Sequence, residues 1–256
     1  MHNKYKVLEW NIHKMTKNKL VAPFVVERIM QDKPDIIVLV EYKSDYNIEQ
    51  SLSEDYYMDV SIGRNGNDVL VAIKKCIVLE ETVPKFNSSI ISISLGKDAP
   101  TVLAATFQTK DRKTLSIIGL RYVAGGNAIK VSKYLKNHLD SLEHEFICTG
   151  DFNIREDRML THYGEYYHEK YDETLENSSI IMLNSFKDCI ITGFQRMDHV
   201  VYSSNIKKES LSYSWDFIEK SEIYPPYNEI AEGYLWRIPV AYPDHAILEF
   251  EFHLNT

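Results

Sequence analysis

Short apolar, β-branched runs recur from one end of this 256-residue chain to the other. They fall at residues 7–12, 35–40, 69–73, 90–95, 102–107 and 115–120, then at 146–149, 188–192, 199–203, 210–217 and 246–252. Most are bounded by Gly, Pro, Asn, Asp or charged clusters, and runs of this kind predict strands. Asn65-Gly66, just ahead of residue 69, predicts a tight turn because both residues tolerate positive φ. Two stretches have helical spacing instead. Leu20, Phe24, Val25, Ile29 and Met30 recur every three or four positions before Pro34, and Val131, Tyr134, Leu135, His138, Leu139 and Leu142 do so after Gly125-Gly126-Asn127. Residues 155–184 are polar and Tyr-rich, which predicts loop with a short helix, and residues 218–239 are irregular around Pro225-Pro226 and Pro239.

No repeat, low-complexity tract or linker divides the pattern, so a single domain over residues 1–256 is expected. Many hairpin-linked strands with few helices between them predict two mainly antiparallel, mixed sheets packed together with helices outside. The first two strands are almost continuously apolar, as central strands covered on both faces are. The expected fold is an α/β (α+β) four-layer αββα sandwich.

Composition supports a folded core: 44% of residues are hydrophobic and 12% aromatic, enough to exclude a disordered chain. The 29 basic residues against 37 acidic ones give a net charge of −8. That balance argues against an architectural nucleic-acid binder that works by broad phosphate neutralisation. It leaves room for an enzyme that touches nucleic acid locally and carries its own cation. Cys76, Cys148 and Cys189 are widely spaced and odd in number, with no metal-ligand spacing, so a reducing, cytoplasmic setting and buried spectator cysteines are expected. Neither a signal peptide nor a membrane-spanning run is read in the sequence.

The informative positions are the polar residues that interrupt the strand ends. Asn11 and His13 close the first strand, Glu41 the second and Arg121 the run at 115–120. Asp151 and Asn153 follow 146–149, Asp198 precedes 199–203, and Asp244-His245 opens the last strand. If these ends share one rim, several carboxylates, amides, a His and an Arg converge in one cleft. Clustered carboxylate and amide oxygens suit a hard cation such as Mg²⁺, which takes only one or two protein carboxylates. An oriented imidazole and an arginine clamp would then serve a phosphate ester.

Five ordered blocks carry a resemblance: Glu9-Trp10-Asn11-Ile12, Pro34-Asp35-Ile36-Ile37-Val38-Leu39-Val40-Glu41, Cys148-Thr149-Gly150-Asp151-Phe152-Asn153, Met197-Asp198-His199-Val200 and Pro243-Asp244-His245-Ala246. Together they resemble the endonuclease/exonuclease/phosphatase superfamily, the deoxyribonuclease I-like fold. The resemblance implies a Mg²⁺-dependent phosphoesterase, with Mn²⁺ as a substitute ion and nucleic acid as the expected partner. It makes Glu41 the principal metal ligand, with Asn11 and Asp244 near the metal. Asp151 would orient or deprotonate the attacking water and Asn153 would hold it. His245 would contact the scissile phosphate, oriented by Asp198. Phosphomonoesterases and lipid-headgroup phosphodiesterases of this superfamily share the blocks and remain alternatives, as does a non-catalytic binding module.

Two positions depart from the pattern. Arg121 stands where relatives usually carry His or Tyr; it can neutralise phosphate charge but is a poor general acid. His13 stands where some relatives have Asp, and metal binding, substrate contact or neither are all open for it. Tyr122 and Trp236 are candidate substrate contacts, with packing as the alternative for each. The aromatic group Tyr163, Tyr166, Tyr167 and Tyr171 could stack bases or simply pack. Arg64, Arg155, Arg158, Arg196 and Arg237 lie in or near the loops expected to flank the mouth.

Overall fold

The computed structural model describes residues 4–12, 21, 23–63, 68–90, 95–96, 99–167, 180–183, 191–217, 222–224, 240–243 and 245–255. The N-terminal half forms β1 (Tyr5–Asn11), α1 (Pro23–Asp32), β2 (Ile36–Tyr42), α2 (Tyr46–Ser53), β3 (Tyr56–Ser61), β4 (Asp68–Lys74), β5 (Lys85–Asn87), β6 (Thr101–Gln108) and β7 (Thr114–Arg121). Then come α3 (Ala128–Asp140), β8 (Glu145–Asp151), α4 (Glu156–Tyr163), β9 (Ile180–Leu183), β10 (Ile191–Gln195), β11 (Asp198–Tyr202) and β12 (Ile206–Ser214). Strands β13 (Glu222–Tyr224), β14 (Val240–Tyr242) and β15 (Ile247–Leu254) close the chain.

Strands β12, β15, β1, β2, β4 and β3 form one sheet in that order, and β11, β8, β7, β6 and β5 form the other. Neighbours β1 and β2 run parallel, as do β7 and β8, and the remaining pairs in these sheets are antiparallel. The mixed sheets therefore place the C-terminal ends of β1, β2, β7 and β8 beside the N-terminal ends of β11 and β15.

Period-two alternation sorts the apolar residues into three cores. Val7, Val38, Val71, Ile117, Ile147 and Phe250 pack between the sheets. On the outer face of the six-stranded sheet, Leu8, Trp10, Ile37 and Leu39 meet Val25 and Ile29 of α1 and Ile48 and Leu52 of α2. On the far side, Ile118, Leu120, Cys148 and Val201 meet Val131, Leu135 and Leu139 of α3 and Met159 of α4. Three cores separate four layers, which is the sandwich the pattern predicts, and β1 and β2 are central and covered on both faces.

Local chemistry sets the helix limits. Pro23, whose missing N–H costs nothing at a first helical position, opens α1, and Lys33 at φ +43 with Pro34 behind it ends the helix. Asp45 caps α2 by accepting from Asn47 N at 3.0 Å, and Asn127 caps α3 by accepting from Lys130 N at 3.0 Å.

Some boundaries differ from those expected. The 210–217 run is not one strand: β12 begins at Ile206 and stops at Ser214, and Trp215 and Phe217 leave the ladder to stack at 6.0 Å. Leu95 lies in a short 3-10 turn rather than a strand, while 91–94 and 188–190 lie outside the described residues. Cys148 is buried as expected, but Cys76 is exposed. No helix among the described residues is long and apolar enough to cross a membrane.

Candidate active site

Counting by twos along the strands shows which side chains enter the space between the sheets. From Val7, the inward face of β1 continues through Glu9 to Asn11; from Ile117, that of β7 continues through Gly119 to Arg121. Ile147 likewise leads to Asp151 on β8, and Val200 leads back to Asp198 on β11. Gly119 is required here, because a Cβ would stand 2.9 Å from Val38, Val69 and Val71 of the opposite sheet. The sheets are thus drawn together one step behind Arg121.

Glu41 breaks the parity. The β2–β4 register shifts between Val40 and Tyr42, and Glu41 sits at that bulge with φ +51. A left-handed conformation for a non-glycine residue costs of order 1–3 kcal/mol and collects at functional sites. Its effect is visible: Tyr42 joins the helix-side core, so the carboxylate is released towards the other sheet. There Glu41 Oε1 accepts from Arg121 Nε at 3.1 Å and from an Arg121 terminal nitrogen at 2.9 Å. Both side chains are almost fully buried.

Asp151 ends β8, directly after Gly150. A side chain at Gly150, φ +143, would put Cβ 2.0 Å from the Leu120 carbonyl oxygen, so only glycine permits this close strand passage. Asp151 Oδ1 accepts from Asn153 N at 2.9 Å, while Oδ2 accepts from Asn153 Nδ2 at 2.9 Å and from Asn11 Nδ2 at 3.2 Å. Asn153 is at φ +48, a conformation Asn tolerates, and its Nδ2 also donates to the Tyr122 carbonyl at 2.9 Å. Burial, then the facing Asp198, pushes the Asp151 carboxyl up to about 7, with Glu41 adding and His245 and Arg121 opposing.

His245 Nδ1 lies 2.6 Å from Asp198 Oδ2, and its Nε2 is 3.5 Å from Asn11 Nδ2. Donation from Nδ1–H to the carboxylate leaves Nε2 facing the Asn11 amide. The His245 carbonyl accepts from Trp10 Nε1 at 3.0 Å, and the Asp198 carbonyl from Tyr213 OH at 2.7 Å, so both backbones are pinned. Three polar contacts therefore cross from sheet to sheet at one end of the sandwich: Asn11 to Asp151, Arg121 to Glu41, and His245 to Asp198.

Glu9 was not singled out by its sequence position, yet it lies under this group. It is 0% exposed, and neither carboxyl oxygen has a hydrogen-bond partner among the described residues. Burial, reinforced by Asp198, holds its carboxyl well above the usual carboxylate range. The available signal was parity: Glu9 is two residues from Asn11 on the inward face of β1.

Among solved structures, an endonuclease/exonuclease/phosphatase family protein from Bacteroides thetaiotaomicron matches 99% of this chain and 98% of its own at a TM-score of 0.63 and 14% identity. The chain has the endonuclease/exonuclease/phosphatase fold. D. rerio TDP2 complexed with single strand DNA product matches 98% of this chain and 99% of its own, at 0.63 and 14%. The mannosyl-6-phosphatase Bt3783 of Bacteroides thetaiotaomicron matches 97% and 99%, again at 0.63 and 14%. No model of a protein family matches the sequence, and no curated protein matches it.

On this fold, Asn11, Glu41, Arg121, Asp151, Asn153, Asp198 and His245 lie together at one end of the sandwich, while Asp244, His13 and Trp236 lie outside the described residues. Tyr122 does not reach the mouth. It follows Arg121 on the opposite face of β7, is buried against α3 and α4, and hydrogen-bonds Tyr163 through its hydroxyl, so it is a packing residue. Tyr163 and Tyr167 are also in that core, which removes them as base-stacking surfaces, and Tyr171 lies outside the described residues. Arg196 is buried and paired with Glu156. Arg155 is exposed, Arg158 lies on α4, and Arg64 and Arg237 lie outside the described residues.

A divalent cation is implied by the fold. Among the described residues, no group of three or more His, Cys, Asp or Glu side chains is placed to hold a metal ion. The donors do fit a hard ion that keeps most of its waters: a Glu41 carboxylate and an Asn11 amide end adjacent parallel strands. The buried acids Glu9, Glu41, Asp151 and Asp198, faced by Arg121 and His245, also fit a cation.

Proposed function

We propose that this chain is a phosphodiester hydrolase dependent on Mg²⁺ and acting on nucleic acid. The observation that carries the reading is the convergence of Asp151, held by Asn11 and Asn153, with the Asp198–His245 pair and the Glu41–Arg121 pair. Glu41 and Asn11, with Asp244, would hold the ion, which supplies charge neutralisation at the phosphoryl group.

Asp151 Oδ accepts a proton from water as the water oxygen bonds to phosphorus and the bond to the leaving oxygen breaks. Its two amide partners fix the carboxylate so that one geometry faces the water. Asp198 orients His245, whose imidazolium form donates from Nε2–H to a phosphoryl oxygen. Arg121 contributes positive charge at the phosphoryl oxygens.

The deciding experiment offers plasmid DNA, single-stranded DNA, RNA, bis(p-nitrophenyl) phosphate and p-nitrophenyl phosphate to the protein with Mg²⁺ and with EDTA. Metal-dependent cleavage of a nucleic acid supports the reading. Hydrolysis of the monoester alone would replace it by a phosphomonoesterase, and no hydrolysis of any substrate by a binding module.

A further inference from the structure

The Glu41–Arg121 pair has a consequence for metal binding. Two nitrogens of one guanidinium converge on a single oxygen of the residue assigned to the metal, in a site from which water is largely excluded. Such a pair is held strongly, because separating it leaves a buried charge without its complement. A dication and a guanidinium drawn to the same carboxylate also repel each other at short range. Gly119 locks β7 against the opposite sheet, so any accommodation of the ion falls to the Arg121 side chain and not to its backbone. Once released, its fork matches two oxygens of a phosphoryl group.

We propose that Arg121 is a resident cation competing with the divalent ion for Glu41, so that metal binding frees its guanidinium for the substrate phosphate. This rests on the proposed function in one respect, that Glu41 is a metal ligand. Arg121 thereby becomes a coupling residue: metal entry and phosphate capture favour each other, as reciprocal linkage requires. The cost falls on metal affinity. If the pair is formed about nine-tenths of the time, apparent affinity is reduced roughly tenfold.

The test is a Mn²⁺ titration of the full chain, with free ion read by electron paramagnetic resonance, for wild type, Arg121→Lys, Arg121→Gln and Glu41→Gln. Circular dichroism melts establish that each variant is folded. Competition predicts roughly tenfold tighter binding in Arg121→Gln and an intermediate gain in Arg121→Lys, whose point charge lacks the fork. If Arg121→Gln does not fold, Arg121→Lys carries the comparison. A general field effect without competition would leave Arg121→Lys at wild-type affinity. In wild type with isotope-labelled arginine, the Arg121 Nε–H resonance should shift as Mg²⁺ saturates. Wild-type affinity in Arg121→Lys with an unmoved resonance overturns the proposal alone. Unchanged Mn²⁺ binding in Glu41→Gln overturns the metal assignment of Glu41 and the proposal with it.

Discussion

Replacing His199 by Gln removes a histidine that the fold keeps neutral. Its ring is 1% exposed, packed edge-on to Phe152 and Tyr167, with Nε2 2.8 Å from the Ile154 carbonyl and Nδ1 3.5 Å from Tyr167 OH. The tautomer with Nε2–H satisfies both contacts and ties down the segment carrying Asp151 and Asn153. Burial, against the partial support of Ile154 and Asp198, lowers the imidazole from 6.5 to about 4. Below pH 6.5 the unfolded chain therefore takes up a proton that the folded chain refuses, so stability falls as pH falls through the window from 6.5 to about 4. Linkage between those two values gives a loss of about 2 kcal/mol on going from about pH 7 to about pH 5. Asp151 works oppositely, since its raised carboxyl keeps a proton in the folded state that the unfolded chain has lost. The useful quantity is thus the wild type minus His199→Gln difference, from urea unfolding in EDTA followed by tryptophan fluorescence. That difference should shrink by about 2 kcal/mol over the interval, and parallel curves would mean that the fold does not hold His199 neutral.

Three further outcomes can be checked. Asp151→Asn should lower turnover by roughly 10²–10⁴-fold with the fold retained by circular dichroism; retained turnover would end the general-base role. Gly150→Ala should abolish soluble expression or lower the melting temperature sharply, since the Cβ would overlap the Leu120 carbonyl at 2.0 Å. Glu9→Gln should gain stability relative to wild type as pH rises above about 5 in EDTA, since only the wild type carries a carboxyl whose folded pKa is raised. A relative loss would mean that Glu9 is held as an anion.

The sandwich was legible because β1, β2, β7 and β8 carry strong apolar runs, and because their ends carry polar residues in an order chance does not supply. Weak elements were not: α2 has only Ile48 and Leu52 as apolar anchors and depends on the Asp45 cap, and β3, Tyr-Tyr-Met-Asp-Val-Ser, has no clean alternation. At the site, identities were legible but directions were not. Nothing in Val40-Glu41-Tyr42 announces the bulge that turns the carboxylate inward. Tyr122 looked available beside Arg121, but successive residues of a strand face opposite ways. Glu9 was hidden by its neighbours in the motif, and the pairing of Arg121 with Glu41 depends on the distance between two sheets.

The chain's net charge of −8 does not by itself set how a phosphate ligand is received. Four carboxyl groups share the inter-sheet end, and the fold handles them in three ways: burial and neighbouring charge raise Glu9 and Asp151, Glu41 meets Arg121, and Asp198 meets His245. A low-dielectric cluster of acids favours whatever adds positive charge, protons included. Protons and divalent ions are therefore competitors at this end of the molecule. Under the proposed function, metal binding releases protons and weakens as pH falls towards the value near 7 at which Asp151 becomes neutral. Calorimetric Mg²⁺ titrations in buffers of different ionisation enthalpy read that release directly. An enthalpy independent of buffer would mean that the cluster is already ionised and that the metal meets it without proton exchange.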